Sequence, residues 1–196
     1  INEEDRSVFL KQPGMAIDLG GIAKGYAADE AAKVLRQNGI TQGTINLGGN
    51  ILVLGTKPDG SLWRIGIQNP FFKTRGSIMA TVEVKDKTLV TSGPYERYFE
   101  EDGKIYHHIL DTESGYPVDN ELMSVTIIAD SSIDADALST AVFAMGLKRG
   151  MSFVEKLDNL DAIFITKDYK VYVTSGAKEY NFMITDKEFQ LMEAVE

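Results

Sequence analysis

Apolar positions recur at two different periods along this chain, and each change of period marks an element. Ala16-Ile17-Asp18-Leu19 is a short apolar run with one carboxylate inside it. Gly20-Gly21 breaks that pattern, so the stretch reads as a strand ending in a glycine turn. From Ile22 to Asn38 the pattern is helical. Ala27, Ala31, Val34 and Leu35 fall at i, i+4, i+7 and i+8 and predict one apolar stripe packed on a sheet. Asp29 and Glu30 lie early and Lys33 and Arg36 late, the order the helix dipole favours, and Gly39 is a natural stop.

The rest of the chain is mostly short alternating runs. Val8 to Leu10 predicts an edge strand, and Thr44 to Leu47 and Ile51 to Leu54 flank Gly48-Gly49-Asn50 as a pair of strands. Trp63 to Gln68 and Ile78 to Val84 alternate, and Leu89-Val90 follows a turn at Asp86-Lys87. Glu101 to Lys104 predicts a hairpin turn into a strand over Ile105 to Leu110. Leu122 to Ala129 is β-rich. Ser131 or Ser132 can cap a second long helix, Ile133 to Met145, which stops at Gly146. A short amphipathic helix then runs through Phe153 and Leu157. Ala162 to Thr166 and Tyr169 to Thr174 form a hairpin, and Phe182 to Ile184 and Phe189 to Met192 finish the core. Two good helices among many short strands predict an α+β fold: a mixed, mainly antiparallel sheet with both helices packed against it, in a single domain over 1–196.

Charge narrows the function. The chain has 29 acidic against 20 basic residues, formally −9. That argues against a nucleic-acid binder, which needs a basic face, and against docking on anionic lipid. No apolar run approaches the roughly 20 residues of a membrane-spanning helix. There is no cysteine, which removes disulfide and thiolate chemistry and suits an oxidising compartment.

Candidate chemistry sits at five places. Paired glycines before a helix N-terminus, with Lys24 in the first turn, suit a phosphate, although neither common phosphate-loop pattern is present; a tight turn beside a solvated lysine fits the same residues. Asn46 and Asn50 could bind a ligand or belong to a hairpin turn. Thr91-Ser92-Gly93-Pro94 fits an anion-binding nest or a plain polar turn, and Arg97 suits a structural ion pair. His107 and His108 are the two histidines; as strand neighbours they would face opposite sides, a poor metal chelate. Asp136 and Thr140 share one helix face. Both are hard oxygen donors of the kind Mg²⁺ prefers, and they equally suit a solvated surface.

Three segments carry a resemblance. DLGGIAKGYAADEAA, from Asp18, closely resembles the ApbE family of flavin transferases, the FAD:protein FMN transferases. His108 to Pro117 resembles that family's HxxD…TGxP segment, and ADALSTAVFAMG, from Ala135, resembles its metal-binding helix. The likeness runs from about Ala16 to Gly146 in the family's order. It implies transfer of FMN from FAD to a threonine hydroxyl of an acceptor flavoprotein, with release of AMP. It also implies that Asp18, Lys24 and Leu110 contact FAD, that the Gly21 carbonyl, Asp136 and Thr140 hold Mg²⁺, and that His108 is the base. An FAD pyrophosphatase using the same Mg²⁺ site, or a flavin-binding module without turnover, is the alternative. Family members carry a long N-terminal portion before the Asp18 segment, so this chain is expected to be the C-terminal part of a longer protein. An extracytoplasmic, membrane-associated location is expected, with any lipid anchor outside this chain.

Overall fold

The computed structural model describes residues 1–72, 76–95 and 97–193. After an irregular start, helix α1 (Ala23–Gln37) leads into the hairpin β1 (Gly43–Leu47) and β2 (Asn50–Leu54). Strands β3 (Trp63–Gln68), β4 (Ile78–Val84) and β5 (Thr88–Ser92) follow, then a second hairpin, β6 (Tyr98–Glu101) and β7 (Lys104–His107). Strand β8 (Leu122–Ala129) precedes helices α2 (Ser132–Met145) and α3 (Leu147–Val154). The chain ends in β9 (Leu160–Thr166), β10 (Lys170–Val173), a 3₁₀ turn over Gly176–Tyr180, β11 (Met183–Ile184) and β12 (Gln190–Leu191).

Three layers result. The central sheet has the order β1-β2-β5-β8-β9-β10-β12, antiparallel throughout except for the β10–β12 pair. A smaller sheet, β11-β4-β3, covers one face. Alternation along β9 sorts the two sides. Ile163 and Ile165 pack with Ile65, Ile67, Met79 and Val82 of the small sheet, whereas Ala162 and Phe164 pack with Val142, Phe143 and Met151 of α2 and α3. Strand β8 is covered on both faces, which is why it reads as an unbroken apolar run. The fold is therefore α+β, as the pattern predicts.

Four local expectations differ. Ala16–Leu19 is not a strand. The Asp18 side chain accepts the Gly20 N–H, and the Leu19 carbonyl accepts both the Ile22 and Ala23 N–H groups, so the segment runs into the turn before α1 without pairing to a strand. Val8–Leu10 likewise forms no strand; Asn2 and Ser7 make a small turn instead. The buried face of α1 is Gly25, Ala28 and Ala32, with Leu35 partly covered, rather than the stripe through Ala27 and Val34. Small residues face inward because α1 is pressed against α2 as well as the sheet. Finally, β7 stops at His107, leaving His108 in the bend beyond it.

Candidate active site

Helices α1 and α2 meet at their first turns, and Gly25 permits it. A Cβ on Gly25 would run into the Ser132 carbonyl oxygen and lie 2.6 Å from the Ile133 Cα. At this junction the Gly25 N–H donates to Asp136 Oδ2 at 2.8 Å, out of solvent. In a regular helix that N–H would close on the Gly21 carbonyl. The neighbouring donors of Ala23 and Tyr26 do close locally, on Leu19 and Ile22. Among the described residues the Gly21 carbonyl accepts no hydrogen bond. Asp136 itself is 4 % exposed. Its second oxygen, Oδ1, accepts no protein hydrogen bond, yet it is not sealed from solvent.

One turn along α2, the direction of each hydroxyl can be worked out by counting protons. Ser139 Oγ donates to the Asp136 carbonyl at 3.0 Å. Ser139 and Ser92 are 2.8 Å apart, and since the Ser139 proton is committed, Ser92 must donate to it. Ser92 and Thr140 are 3.1 Å apart, so Thr140 must be the donor there. The Thr140 proton is thus held by the end of β5, and its oxygen lone pairs are left for another partner. Of the Thr91–Pro94 segment, Ser92 at the end of β5 is the residue that orients Thr140.

Among the described residues no three His, Cys, Asp or Glu side chains gather to chelate a metal. What the junction offers is one open carboxylate oxygen, one oriented hydroxyl and one unpartnered carbonyl. That hard-oxygen set fits Mg²⁺, which takes few protein ligands and fills its octahedron with water and substrate phosphates. Electrostatics points the same way. The Asp136 carboxylate already takes the N–H that a phosphate would use at this helix start, so a phosphate near it needs a cation between the two charges.

The remaining predicted residues, Asp18, Lys24, His108 and Leu110, are all exposed. Asp18 is exposed, and its Oδ1 accepts the Gly20 N–H at 2.6 Å, which shapes the glycine turn. Lys24 projects from the first turn of α1 and is exposed. Leu110 is 52 % exposed and pairs with Pro117 across a loop. In that loop Asp111 accepts the Ser114 and Glu113 N–H groups, and the Ser114 bonds hold its carboxyl below the usual range. Asn120 ties the loop to α2, donating to the Phe143 carbonyl at 2.7 Å and accepting from Leu122 N–H at 2.9 Å.

Hydrogen bonds separate the two histidines. His107 Nε2 lies 3.1 Å from the Val118 carbonyl, and its Nδ1 accepts the Ile109 N–H, so both nitrogens are used. Burial pushes its imidazole below the ordinary value. His108 is exposed. Its Nδ1 lies 3.1 Å from the Arg97 carbonyl, which can only accept, so in the neutral ring Nδ1 carries the proton and the lone pair is on Nε2.

A cavity of about 1040 Å³ opens behind the β6–β7 hairpin, lined by Tyr98, Tyr106, His107, Tyr116 and Phe143 among others. None of Asp18, Gly21, Lys24, His108, Leu110, Asp136 or Thr140 lines it. Asn46 and Asn50 are hairpin residues: Gly48 and Gly49 both have positive φ, Asn46 accepts the Gly49 N–H, and buried Asn50 accepts from Ser132 Oγ. Gly25 is the residue at this junction that motif reasoning does not single out. A glycine inside an otherwise alanine-rich helix is the signal that was available for it.

The ApbE family model matches residues 1–164. This chain belongs to the ApbE family. It is 42% identical over 193 residues to the FAD:protein FMN transferase of Klebsiella pneumoniae, a match covering 98% of this chain and 58% of that relative. The Treponema pallidum protein of the same name is 39% identical over 178 residues, covering 87% and 49%. Among solved structures, the ApbE protein of Thermotoga maritima superposes with a TM-score of 0.77 at 36% identity, over 86% of this chain and 54% of that one. The flavin transferase ApbE of Vibrio cholerae gives 0.73 at 34% identity, over 86% and 53%. The chain spans about half the length of the relatives it matches.

Proposed function

We propose that this ApbE chain carries the metal site and the general base of an Mg²⁺-dependent FAD:protein FMN transferase. The single observation that supports this most is the junction itself: an ApbE-type glycine turn and an ApbE-type helix, far apart in sequence, meet at the Gly25–Asp136 hydrogen bond. Asp136 Oδ1, Thr140 Oγ1 and the Gly21 carbonyl would hold Mg²⁺. When bound, the ion supplies charge neutralisation of the FAD pyrophosphate and polarises the phosphorus under attack.

The chain's own residues supply the rest. Lys24 and Asp18 flank the glycine turn and would bind FAD, Lys24 through a phosphate, with Leu110 against the cofactor. His108 Nε2 would take the proton of an acceptor threonine hydroxyl. The threonine oxygen then forms a bond to the phosphorus on the riboflavin side. The pyrophosphate P–O bond breaks, and AMP leaves with the bridging oxygen. The acceptor is a flavoprotein presenting that threonine. A location outside the cytoplasm, at the membrane or cell surface, is part of the same reading.

The test is to incubate the protein with FAD and Mg²⁺, with and without an acceptor, and to quantify AMP and acceptor-bound flavin. AMP formed only with acceptor, in step with flavin attachment, is expected. AMP formed equally without acceptor would make the protein a pyrophosphatase, and no AMP in either case would make it a binding module.

A further inference from the structure

The two halves of the junction are tied by more than the Gly25–Asp136 contact. Asp29, one turn along α1 from Gly25, sends both carboxylate oxygens into the start of α2. Oδ1 accepts the Ser132 N–H at 3.0 Å and Oδ2 accepts the Ile133 N–H at 2.9 Å. A helix normally finds caps for its first donors in its own flanking residues. Here the local cap, Ser131, reaches the Asp134 N–H at 3.4 Å, and two donors are served from another helix. The exchange is reciprocal: a carboxylate of α1 holds the backbone of α2, and a carboxylate of α2 holds the backbone of α1. The two bonds flank the close approach at Gly25 and leave α1 little freedom to slide or turn against α2.

We infer that Asp29 is a positioning residue for the metal site: it sets the register between the Gly21 carbonyl on one segment and Asp136 with Thr140 on the other. The inference rests on the proposed roles of those three groups as metal ligands. A bound cation needs its donors at fixed distances, so a looser register weakens binding even when every donor remains. Groups that orient metal ligands without touching the ion typically account for about 10–100-fold in affinity.

The test uses Mn²⁺ as a spectroscopic stand-in for Mg²⁺, with the free-ion EPR signal read during titration of the FAD-loaded protein. Asp29→Ala removes both acceptors and is expected to weaken Mn²⁺ binding about ten-fold or more. Asp29→Asn keeps one acceptor oxygen and is expected to fall between that variant and wild type. It also carries the test if the alanine variant fails to fold. The melting temperature is recorded for each. Mn²⁺ affinities equal to wild type, with only the melting temperature lowered, would overturn the inference and leave Asp29 as a helix cap. A wild-type protein that binds no Mn²⁺ would overturn the metal-site reading itself, a different result from the first.

Discussion

The amide of Gly25 and the carboxylate of Asp136 are 111 residues apart in sequence and 2.8 Å apart in space. Everything proposed for the site depends on that closeness, and the closeness depends on the missing side chain. Gly25→Ala gains about 1 kcal/mol of helix propensity. Against this, the new Cβ meets backbone atoms of Ser132 and Ile133, which cannot rotate away. Overpacking of this kind costs about 1–3 kcal/mol, and a backbone clash belongs at the upper end. The expected net result is a lower urea midpoint. A midpoint equal to or above wild type would show that the helices are not pressed together as described.

Ser92 offers a gentler perturbation. Its hydroxyl accepts from Thr140 and donates to Ser139. Ser92→Ala should cost about 1 kcal/mol of stability, the ordinary worth of such a bond, while freeing Thr140 to rotate. Metal dependence of activity should shift to higher Mg²⁺ concentration. Unchanged Mg²⁺ dependence would mean that Thr140 needs no orienting.

The two histidines should separate by assay. His108→Ala is expected to lower FMN transfer by about 10²–10⁴-fold, the usual loss for a general base, with FAD affinity retained. Direct FAD titration beside the transfer assay checks both halves. Wild-type turnover in the variant would assign the proton to another group.

His107 should appear in stability instead. Burial lowers its folded-state value below 6.5, so the native protein holds the ring neutral while the unfolded chain takes up a proton. The unfolded state then binds more protons, and stability falls as pH drops below about 6.5 toward the folded-state value. The carboxylates held low by hydrogen bonds or a cationic partner, Asp59, Glu83, Asp111, Asp119 and Asp168, act in the same direction but only in more acidic solution. Urea unfolding at pH 7.5 and 5.5 therefore isolates the histidine. Wild type should lose stability between the two, and His107→Gln should lose less. Equal losses would place the pH dependence elsewhere.

How much of this was legible follows from the range of the interactions. Alternation along β3, β4 and β9, the Ser131 cap of α2 and its Gly146 stop are local, so strands and helices can be read from neighbours in sequence. The Ala16–Leu19 segment misleads because its composition suits a strand while the Asp18 side chain and the Leu19 carbonyl close turns leading into α1. The face of α1 misleads because hydrophobicity marks Ala27 and Val34, whereas contact with α2 selects small residues at Gly25, Ala28 and Ala32. Asp136 and Thr140 share a face by helical spacing alone. Asp29 looks like a dipole-friendly acid until α2 is placed beside it, and Ser92 looks like a turn residue until Thr140 is.

The most direct test is where a cation binds. Crystals of the protein grown with FAD and Mn²⁺, measured at a wavelength where manganese scatters anomalously, report the ion's position without reference to activity. The account predicts one peak at the α1–α2 junction, bonded to the Asp136 carboxylate, Thr140 Oγ1 and the Gly21 carbonyl at roughly the 2.1 Å expected for such oxygen donors, and no peak there in Asp136→Ala. A peak held by other residues, or none at the junction in crystals where FAD is bound, would contradict it.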